Sequence, residues 1–314
     1  MKPLIFAFLV VFTGGGLSAQ APAWQPSPGH TQVAIWPGKV PDAAPVAGPE
    51  VFAAGTDRDF LVAGRPVAGV GKVSRPTMTV YSPEGRNTGA AVVVFPGGGY
   101  WVLAIDLEGT EVCDWLTSKG ITCVLLKYRV PGEGLFPKSG PYPKSPMALE
   151  DAQRTVGLVR FHAAEWKIDP HKIGVLGFSA GGHLVAAVST HFKKRLYPAV
   201  DAADKESCRP DFAVAIYPGH MLENTSRSFE LNPYVPVTRE TPPTFILQAE
   251  DDPVDPVQNS LVYYAALKKA GAPVEMHLYA RGGHAFGLRR TKLPVTAWPQ
   301  LVETWLGTIG MIPE

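Results

Sequence analysis

Ile173-Gly174-Val175-Leu176-Gly177-Phe178-Ser179-Ala180-Gly181-Gly182-His183-Leu184-Val185-Ala186-Ala187-Val188 is the stretch that decides how this chain is read. An apolar run of strand character enters a Gly-x-Ser-x-Gly turn and leaves it as a helix-like segment. In so tight a turn, side chains two positions before and after the serine would collide with neighbouring backbone. Glycine relieves the collision because it carries no Cβ. Ser179 then heads a helix, where free N–H groups and the positive end of the dipole favour developing negative charge. A Gly-rich turn with a capping serine has the same local sequence. The case for a nucleophile therefore rests on what the rest of the chain supplies.

Around this stretch, strand-like and helix-like segments alternate. Strands are expected at 77–81, 91–95, 121–128, 173–178, 212–217, 244–249 and 274–280, with helices near 105–118, 148–166, 180–190, 257–270 and 296–309. That alternation predicts an α/β fold with a mostly parallel central sheet and helices on both faces. Continuous apolar runs such as Ala91-Val92-Val93-Val94-Phe95 suit strands buried on both faces. In such sheets ligands bind beyond the carboxyl ends of the strands, so the chemistry belongs in the loops that follow them.

The composition sets bounds on function. The chain has 314 residues, 46% of them hydrophobic, which is ample for one large domain. A net charge of +1, with no basic run, sets aside nucleic acid and acidic membrane surfaces as partners. Residues 1–21 read as a signal peptide. Lys2 supplies the positive region, Leu4 to Phe12 form an apolar region too short to span a bilayer, and cleavage is expected after Ala19, Gln20 or Ala21. The mature protein is expected to be periplasmic or secreted, with no membrane span. Residues 22–75, rich in Pro, Gly and Ala, read as an irregular N-terminal segment packed on a catalytic domain of residues 76–314.

Three cysteines leave at least one unpaired within the chain. Cys113 falls on a predicted helix and Cys123 on the following strand. A helix–strand hairpin could join them in an oxidising compartment, but buried thiols are the expectation. No Cys/His spacing resembles a zinc site.

A serine hydroxyl needs a base, an orienting acid and donors for an oxyanion. Pro96-Gly97-Gly98-Gly99-Tyr100-Trp101 follows strand 91–95, and its glycines expose N–H groups like the HGGG-type loop of esterases, with Pro96 in place of the histidine. The expected oxyanion donors are Gly98 or Gly99 together with Ala180. Glu250-Asp251-Asp252-Pro253-Val254-Asp255-Pro256 follows strand 244–249, and Gly282-Gly283-His284 follows strand 274–280. The order Ser179…Asp252…His284 is the α/β-hydrolase order. His183, one turn beyond Ser179, is expected to pack beneath the elbow, not to act as base. Tyr100, Trp101 and Phe178 flank these positions and could wall an acyl pocket or equally be core aromatics. Val130 to Met147, with five prolines, could cap the site, and 219–242 could form another rim.

These motifs, with Lys127-Tyr128-Arg129 and Leu149-Glu150-Asp151-Ala152-Gln153-Arg154, make the chain resemble an α/β-hydrolase-fold serine esterase over roughly residues 75–310. The resemblance is to bacterial acetyl-xylan-esterase-like and feruloyl-esterase-like enzymes, neighbours of the hormone-sensitive-lipase-like branch. It implies a Ser179–His284–Asp252 acyl-enzyme mechanism without metal or organic cofactor. It also implies short-acyl esters as substrates, acetyl groups on plant polysaccharides or small esters, with feruloyl or other aryl esters as the alternative. The family acid usually belongs to an Asp-x-x-Val-Pro loop. Here Asp255 stands at the valine position, which makes it a rival to Asp252. Asp151 and Arg154 are expected to belong to a structural ion-pair network. A serine peptidase or amidase of the same fold, an arylformamidase and a non-catalytic binding module are the competing readings.

Overall fold

The computed structural model describes residues 23–43, 48–56, 61–130, 146–223 and 229–313. Eight strands form the main sheet: β1 (Gln32–Ala34), β2 (Thr77–Tyr81), β3 (Ala91–Phe95), β4 (Thr122–Lys127), β5 (Ile173–Phe178), β6 (Phe212–Ile216), β7 (Thr244–Ala249) and β8 (Val274–Tyr279). They lie in the order β1-β2-β4-β3-β5-β6-β7-β8. The pairs β1–β2 and β2–β4 are antiparallel, and every pair from β4 to β8 is parallel. Every residue of β3, β5, β6 and β7 is buried, which explains the unbroken apolar sequences of β3, β5 and β6; in β7 the buried run also includes Thr244 and Gln248. β8, at the sheet edge, is only partly covered.

Among the described residues five α-helices accompany the sheet: α1 (Glu111–Ser118), α2 (Pro146–Phe161), α3 (Ala180–Thr190), α4 (Gln258–Ala270) and α5 (Trp298–Thr308). α1 is preceded by one π-helical turn, Asp106–Thr110. α1 and α5 meet through an edge-on contact of Trp115 with Trp298, while Trp305 reaches Phe212 and Phe245 on β6 and β7. One hydrophobic cluster runs from Trp24 to Ile312. The N-terminal segment joins it through Trp24, Ile35 and Trp36, and it also supplies β1, the edge strand paired with Met78 and its neighbours. Three short antiparallel strands, Val51–Ala53, Gly69–Gly71 and Val102–Ala104, form a second sheet beside the loop that follows β3.

The cysteine expectation is corrected. Cys113 and Cys123 form a disulfide, with Cα atoms 5.1 Å apart, and Cys208 is the buried free thiol. The turn at Lys119–Gly120 reverses the chain between α1 and β4. Cys113 is thereby laid over Cys123, a proximity that a spacing of 10 residues alone does not dictate.

Arg129, directly after β4, is fully buried and holds Glu150 and Asp151 of α2, while Arg154 reaches Asp201 and Asp204. Asp151 also accepts the Trp36 indole N–H at 2.8 Å. The ion pairs tie α2 to the segment after β4 and to Asp201 and Asp204, as the sequence reading anticipates for Asp151 and Arg154, and hydrogen bonds from Trp36 to Asp151 and from Arg154 to Ile35 O add the N-terminal segment. The stretch 131–145, read as a cap from its prolines, lies outside the described residues, as do residues 1–22.

Candidate active site

Ser179 sits between β5 and α3 with φ 51° and ψ −118°, a conformation that L-residues rarely adopt. Its N–H donates to Ile216 O at 3.1 Å, and its carbonyl accepts from His183 and Gly219 N–H groups. The packing explains the flanking glycines. A Cβ at Gly177 would stand 2.2 Å from Gly181 O, and one at Gly181 would stand 2.0 Å from Phe95 O. The elbow therefore exists only with glycine at both positions, and the strained serine projects beyond the end of β5.

His284 lies on the loop after β8. Its Nε2 is 3.0 Å from Ser179 Oγ and its Nδ1 is 2.7 Å from Asp252 Oδ2. Asp252 is fixed on both oxygens: Oδ1 accepts the N–H groups of Val254 and Asp255, and Oδ2 also accepts Gln248 Nε2 at 3.0 Å. Ser260 Oγ in turn donates to Gln248 Oε1, so the carboxylate is backed by a second layer of hydrogen bonds. Burial pushes the His284 imidazole pKa down, but the hydrogen bond and charge of Asp252, with Asp255 and Glu108 further off, outweigh burial. The net result is a pKa above the ordinary histidine value.

Three aspartates of one loop do three different things. Asp251 accepts the N–H groups of Gly282 and Gly283 at 2.8 and 2.7 Å, pinning the loop that carries His284. Those backbone bonds, Gly283 first, hold its carboxyl below the usual range. Asp252 meets His284 Nδ1. Asp255 lies toward the other ring nitrogen, its Oδ2 3.9 Å from Nε2 and 3.2 Å from Ser179 Oγ.

The glycine loop after β3 closes over the serine. A Cβ at Gly97 would stand 2.6 Å from Glu108 Oε2 and 3.0 Å from Ser179 Cβ, so backbone passes directly beside the elbow. Gly98 and Gly99 follow with φ 128° and 66°. Tyr128 donates its hydroxyl to Pro96 O at 2.5 Å and so anchors the start of the loop.

Sequence reasoning missed Glu108. It lies in the π-helical turn, is 2% exposed, and accepts Gly97 N–H at 2.7 Å and Tyr217 Oη–H at 2.8 Å. Burial raises its pKa, and the Tyr217 hydrogen bond, the His284 charge and the Gly97 N–H work against that rise. Tyr217 Oη also accepts Gly287 N–H, and its ring packs 5.0 Å from the His284 ring. Glu108 and Tyr217 thus join the glycine loop to the histidine loop. The only sequence signal was a carboxylate between Leu107 and Gly109, two residues after Asp106 on the approach to α1.

The flanking aromatics divide. Trp101 is 40% exposed, whereas Tyr100 is buried, with its hydroxyl 2.6 Å from His183 Nδ1 beneath the elbow. The pocket-wall role for Phe178 is corrected: it is fully buried against Tyr217 and Trp298. Neighbours along a strand point to opposite sides, so the residue before the elbow turns into the core when the serine turns out of it.

A sheet of this order, with an elbow serine, a histidine loop and a glycine loop at its strand ends, defines the α/β-hydrolase class. The chain belongs to the alpha/beta hydrolase fold family, whose model matches residues 92–288. It is 32% identical over 230 residues to an acetylxylan esterase of Xylanibacter ruminicola, a match covering 67% of this chain and 43% of that protein. It is 30% identical to endo-1,4-beta-xylanase B of Butyrivibrio fibrisolvens, over 62% of this chain and 32% of that protein. The chain thus spans less than half the length of either relative. A crystal structure of an acetyl ester-xyloside bifunctional hydrolase from Caldicellulosiruptor lactoaceticus shares 32% identity and a TM-score of 0.68, covering 94% of this chain and all of that one.

Proposed function

We propose that this chain is a serine carboxylesterase that removes short acyl groups, acetyl groups on plant polysaccharides foremost, from their alcohols. The observation that carries the reading is the pair of contacts Ser179 Oγ–His284 Nε2 at 3.0 Å and His284 Nδ1–Asp252 Oδ2 at 2.7 Å, beside the glycine loop. The relatives named for acetylxylan esterase and acetyl ester hydrolysis support the acyl and alcohol classes.

In this mechanism Ser179 Oγ attacks the ester carbonyl as its proton passes to His284 Nε2, and Asp252 steadies the imidazolium through Nδ1. Gly97 N–H is engaged by Glu108, which leaves Gly98 or Gly99, with Ala180, as the N–H donors to the oxyanion. One such donor is worth about 3–4 kcal/mol of transition-state stabilisation. The tetrahedral intermediate collapses with cleavage of the carbon–alcohol bond, and Nε2 returns the proton to the departing alcohol. Water, deprotonated by the same nitrogen, then attacks the acyl-serine; the acyl carbon–Oγ bond breaks to release the acid, and Nε2 returns the proton to Ser179 Oγ. Every proton moves through His284, so the reaction proceeds without a cofactor.

Export is part of the same proposal. It is supported by the charged and apolar pattern of residues 1–21 and by a disulfide, which persists in oxidising compartments. Among the described residues no helix is long and apolar enough to cross a membrane. The test is release of acetate from acetylated xylan by the mature protein, with methyl ferulate in parallel. Acetate release that disappears in Ser179→Ala is the expected result. Ferulate release without acetate release would shift the substrate to aryl esters, and turnover of anilides in place of esters would shift it to amides.

A further inference from the structure

The loop after β8 is fastened on both sides of His284. Before it, Asp251 Oδ1 accepts the N–H groups of Gly282 and Gly283. After it, Gly287 donates its N–H to Tyr217 Oη at 3.2 Å and accepts the Trp298 indole N–H at 2.7 Å. A Cβ at Gly287 would stand 2.5 Å from Leu107 Cδ1, so the loop rests directly on the π-helical turn that carries Glu108. Two residues further on, the Arg289 side chain, 2% exposed, runs into the interior.

All three nitrogens of Arg289 are engaged. Nε donates to Glu111 Oε1 and Oε2 at 3.0 and 3.2 Å, and Nη1 donates to the carbonyls of Arg65 and Pro66 at 2.8 and 2.9 Å. Nη2 donates to Asp106 Oδ2 at 3.1 Å and Glu111 Oε1 at 2.8 Å. Asp106 opens the π-helical turn and Glu111 opens α1, while Arg65 and Pro66 belong to the N-terminal segment. That segment is itself tied to the chain leaving the glycine loop. Gly69–Gly71 pairs with Val102–Ala104, Ala68 O accepts Ile105 N–H at 3.1 Å, and Ala68 N–H donates to Asp106 Oδ1 at 2.9 Å. A planar guanidinium can hold acceptors in several fixed directions at once, which a lysine ammonium cannot.

We propose that Arg289 is a positioning residue for His284. It fixes the histidine loop against Asp106, Glu111 and the N-terminal segment, and so holds Nε2 where it can take the Ser179 proton and return it to the leaving alcohol. Buried ion pairs of this kind often add no net stability; what this one adds is a fixed place for the loop. The glycine loop has anchors of its own in Glu108 and Tyr128. Loss of Arg289 therefore falls on the proton transfers of His284 more than on the oxyanion donors. The proposal rests on the esterase reading and makes the N-terminal segment part of the machinery that holds the base.

The test compares kcat/KM for p-nitrophenyl acetate with that for ethyl acetate. A weakly basic phenoxide can leave without a proton, whereas an alkoxide needs one from Nε2, so the ratio of the two esters reports proton delivery by His284. Because the ratio is taken within each variant, differences in folded fraction cancel. Arg160→Ala is the structural control. Arg160 holds Asp211 and the carbonyls of Pro170, Ser207 and Arg209, and Asp211 accepts Ile173 N–H at the end of β5 opposite the elbow.

Arg289→Ala should raise the ratio by about tenfold or more, since general acid catalysis is worth about 10²–10⁴-fold. Arg289→Lys, which keeps the charge but not the fork, should raise it less. Arg160→Ala should lower the melting temperature and leave the ratio at the wild-type value. Equal losses on both esters in Arg289→Ala would overturn the assignment, as would an equal rise of the ratio in Arg160→Ala. If Arg289→Ala does not fold, Arg289→Lys takes its place, and a wild-type ratio in that variant would overturn the assignment as well. In each of these cases turnover that disappears in Ser179→Ala leaves the esterase reading standing. Absence of Ser179-dependent turnover of both esters would overturn the two readings together.

Discussion

Glu108 Oε2 accepts the Gly97 N–H at 2.7 Å, so a fully buried carboxylate is clamped beneath the glycine loop. The other oxygen of Glu108 meets Tyr217, whose hydroxyl also receives the N–H of Gly287 on the histidine loop. Two loops that are far apart in sequence are thereby positioned by one side chain that need not touch a substrate.

Glu108→Ala should weaken both the fold and the reaction. It leaves two buried donors unsatisfied, at about 1–3 kcal/mol each. A displacement of the loop by about 1 Å can lower turnover by about 100-fold. Glu108→Gln keeps an acceptor for Gly97 and should retain far more of kcat than the alanine variant. Thermal melts and steady-state kinetics on p-nitrophenyl acetate check this. Equal losses in the two variants would remove Glu108 from the positioning role.

Asp252→Asn should lower kcat by about 10³–10⁴-fold, because the amide no longer fixes the tautomer that accepts the serine proton. The Asp255→Asn change, measured on the same substrate, should cost much less. A larger loss at Asp255 than at Asp252 would exchange their assigned roles.

The pH profile follows from His284. Its folded pKa is raised, so the ring stays protonated to a higher pH than a free histidine, whose pKa is about 6.5. Only the neutral ring accepts the Ser179 proton, so the acid limb of kcat/KM should lie above that value. The sign for stability is opposite. The increment from the charged ring is fully present below the unfolded-state pKa and is lost as pH rises through the folded one. Asp252→Asn removes the chief partner of the charged ring and should move the limb to lower pH. A limb that stays in place would exclude His284 as the group that titrates.

Reduction should destabilise the protein. The Cys113–Cys123 bridge closes a short loop with a sequence separation of 10, for which the chain-entropy model gives about 2–3 kcal/mol. Melting in the presence and absence of reductant measures it, and an unchanged Tm would contradict a closed disulfide.

The sequence made the skeleton of the site legible because strand ends are local signals. Strand-like runs of five or six residues ended in a glycine elbow, an acidic loop and a histidine loop, and the parallel sheet brings these loops together at the carboxyl ends of its strands. What escaped the sequence depends on contacts between elements. Cys113 and Cys123 needed the packing of α1 on β4. Glu108 looked like any acid near a helix start until the glycine loop and Tyr217 were seen to converge on it. Phe178 followed from strand alternation, but its place beside the serine masked its inward direction. Gln32–Ala34 was too short and too irregular in context to reveal that it pairs at the sheet edge. Asp255 was noticed as a rival for Asp252, yet its position between Ser179 and His284 is visible only in three dimensions.

The central claim is that Ser179 forms an acyl-enzyme, and the most direct measurement is the initial rate on p-nitrophenyl acetate for wild type and Ser179→Ala, with intact-mass analysis after a phosphonate ester inhibitor. The account predicts a loss of about 10⁴-fold or more in the variant, and a single adduct that maps to Ser179 in the wild type and is absent from the variant. Turnover that survives in Ser179→Ala, or an adduct on another residue, would contradict it.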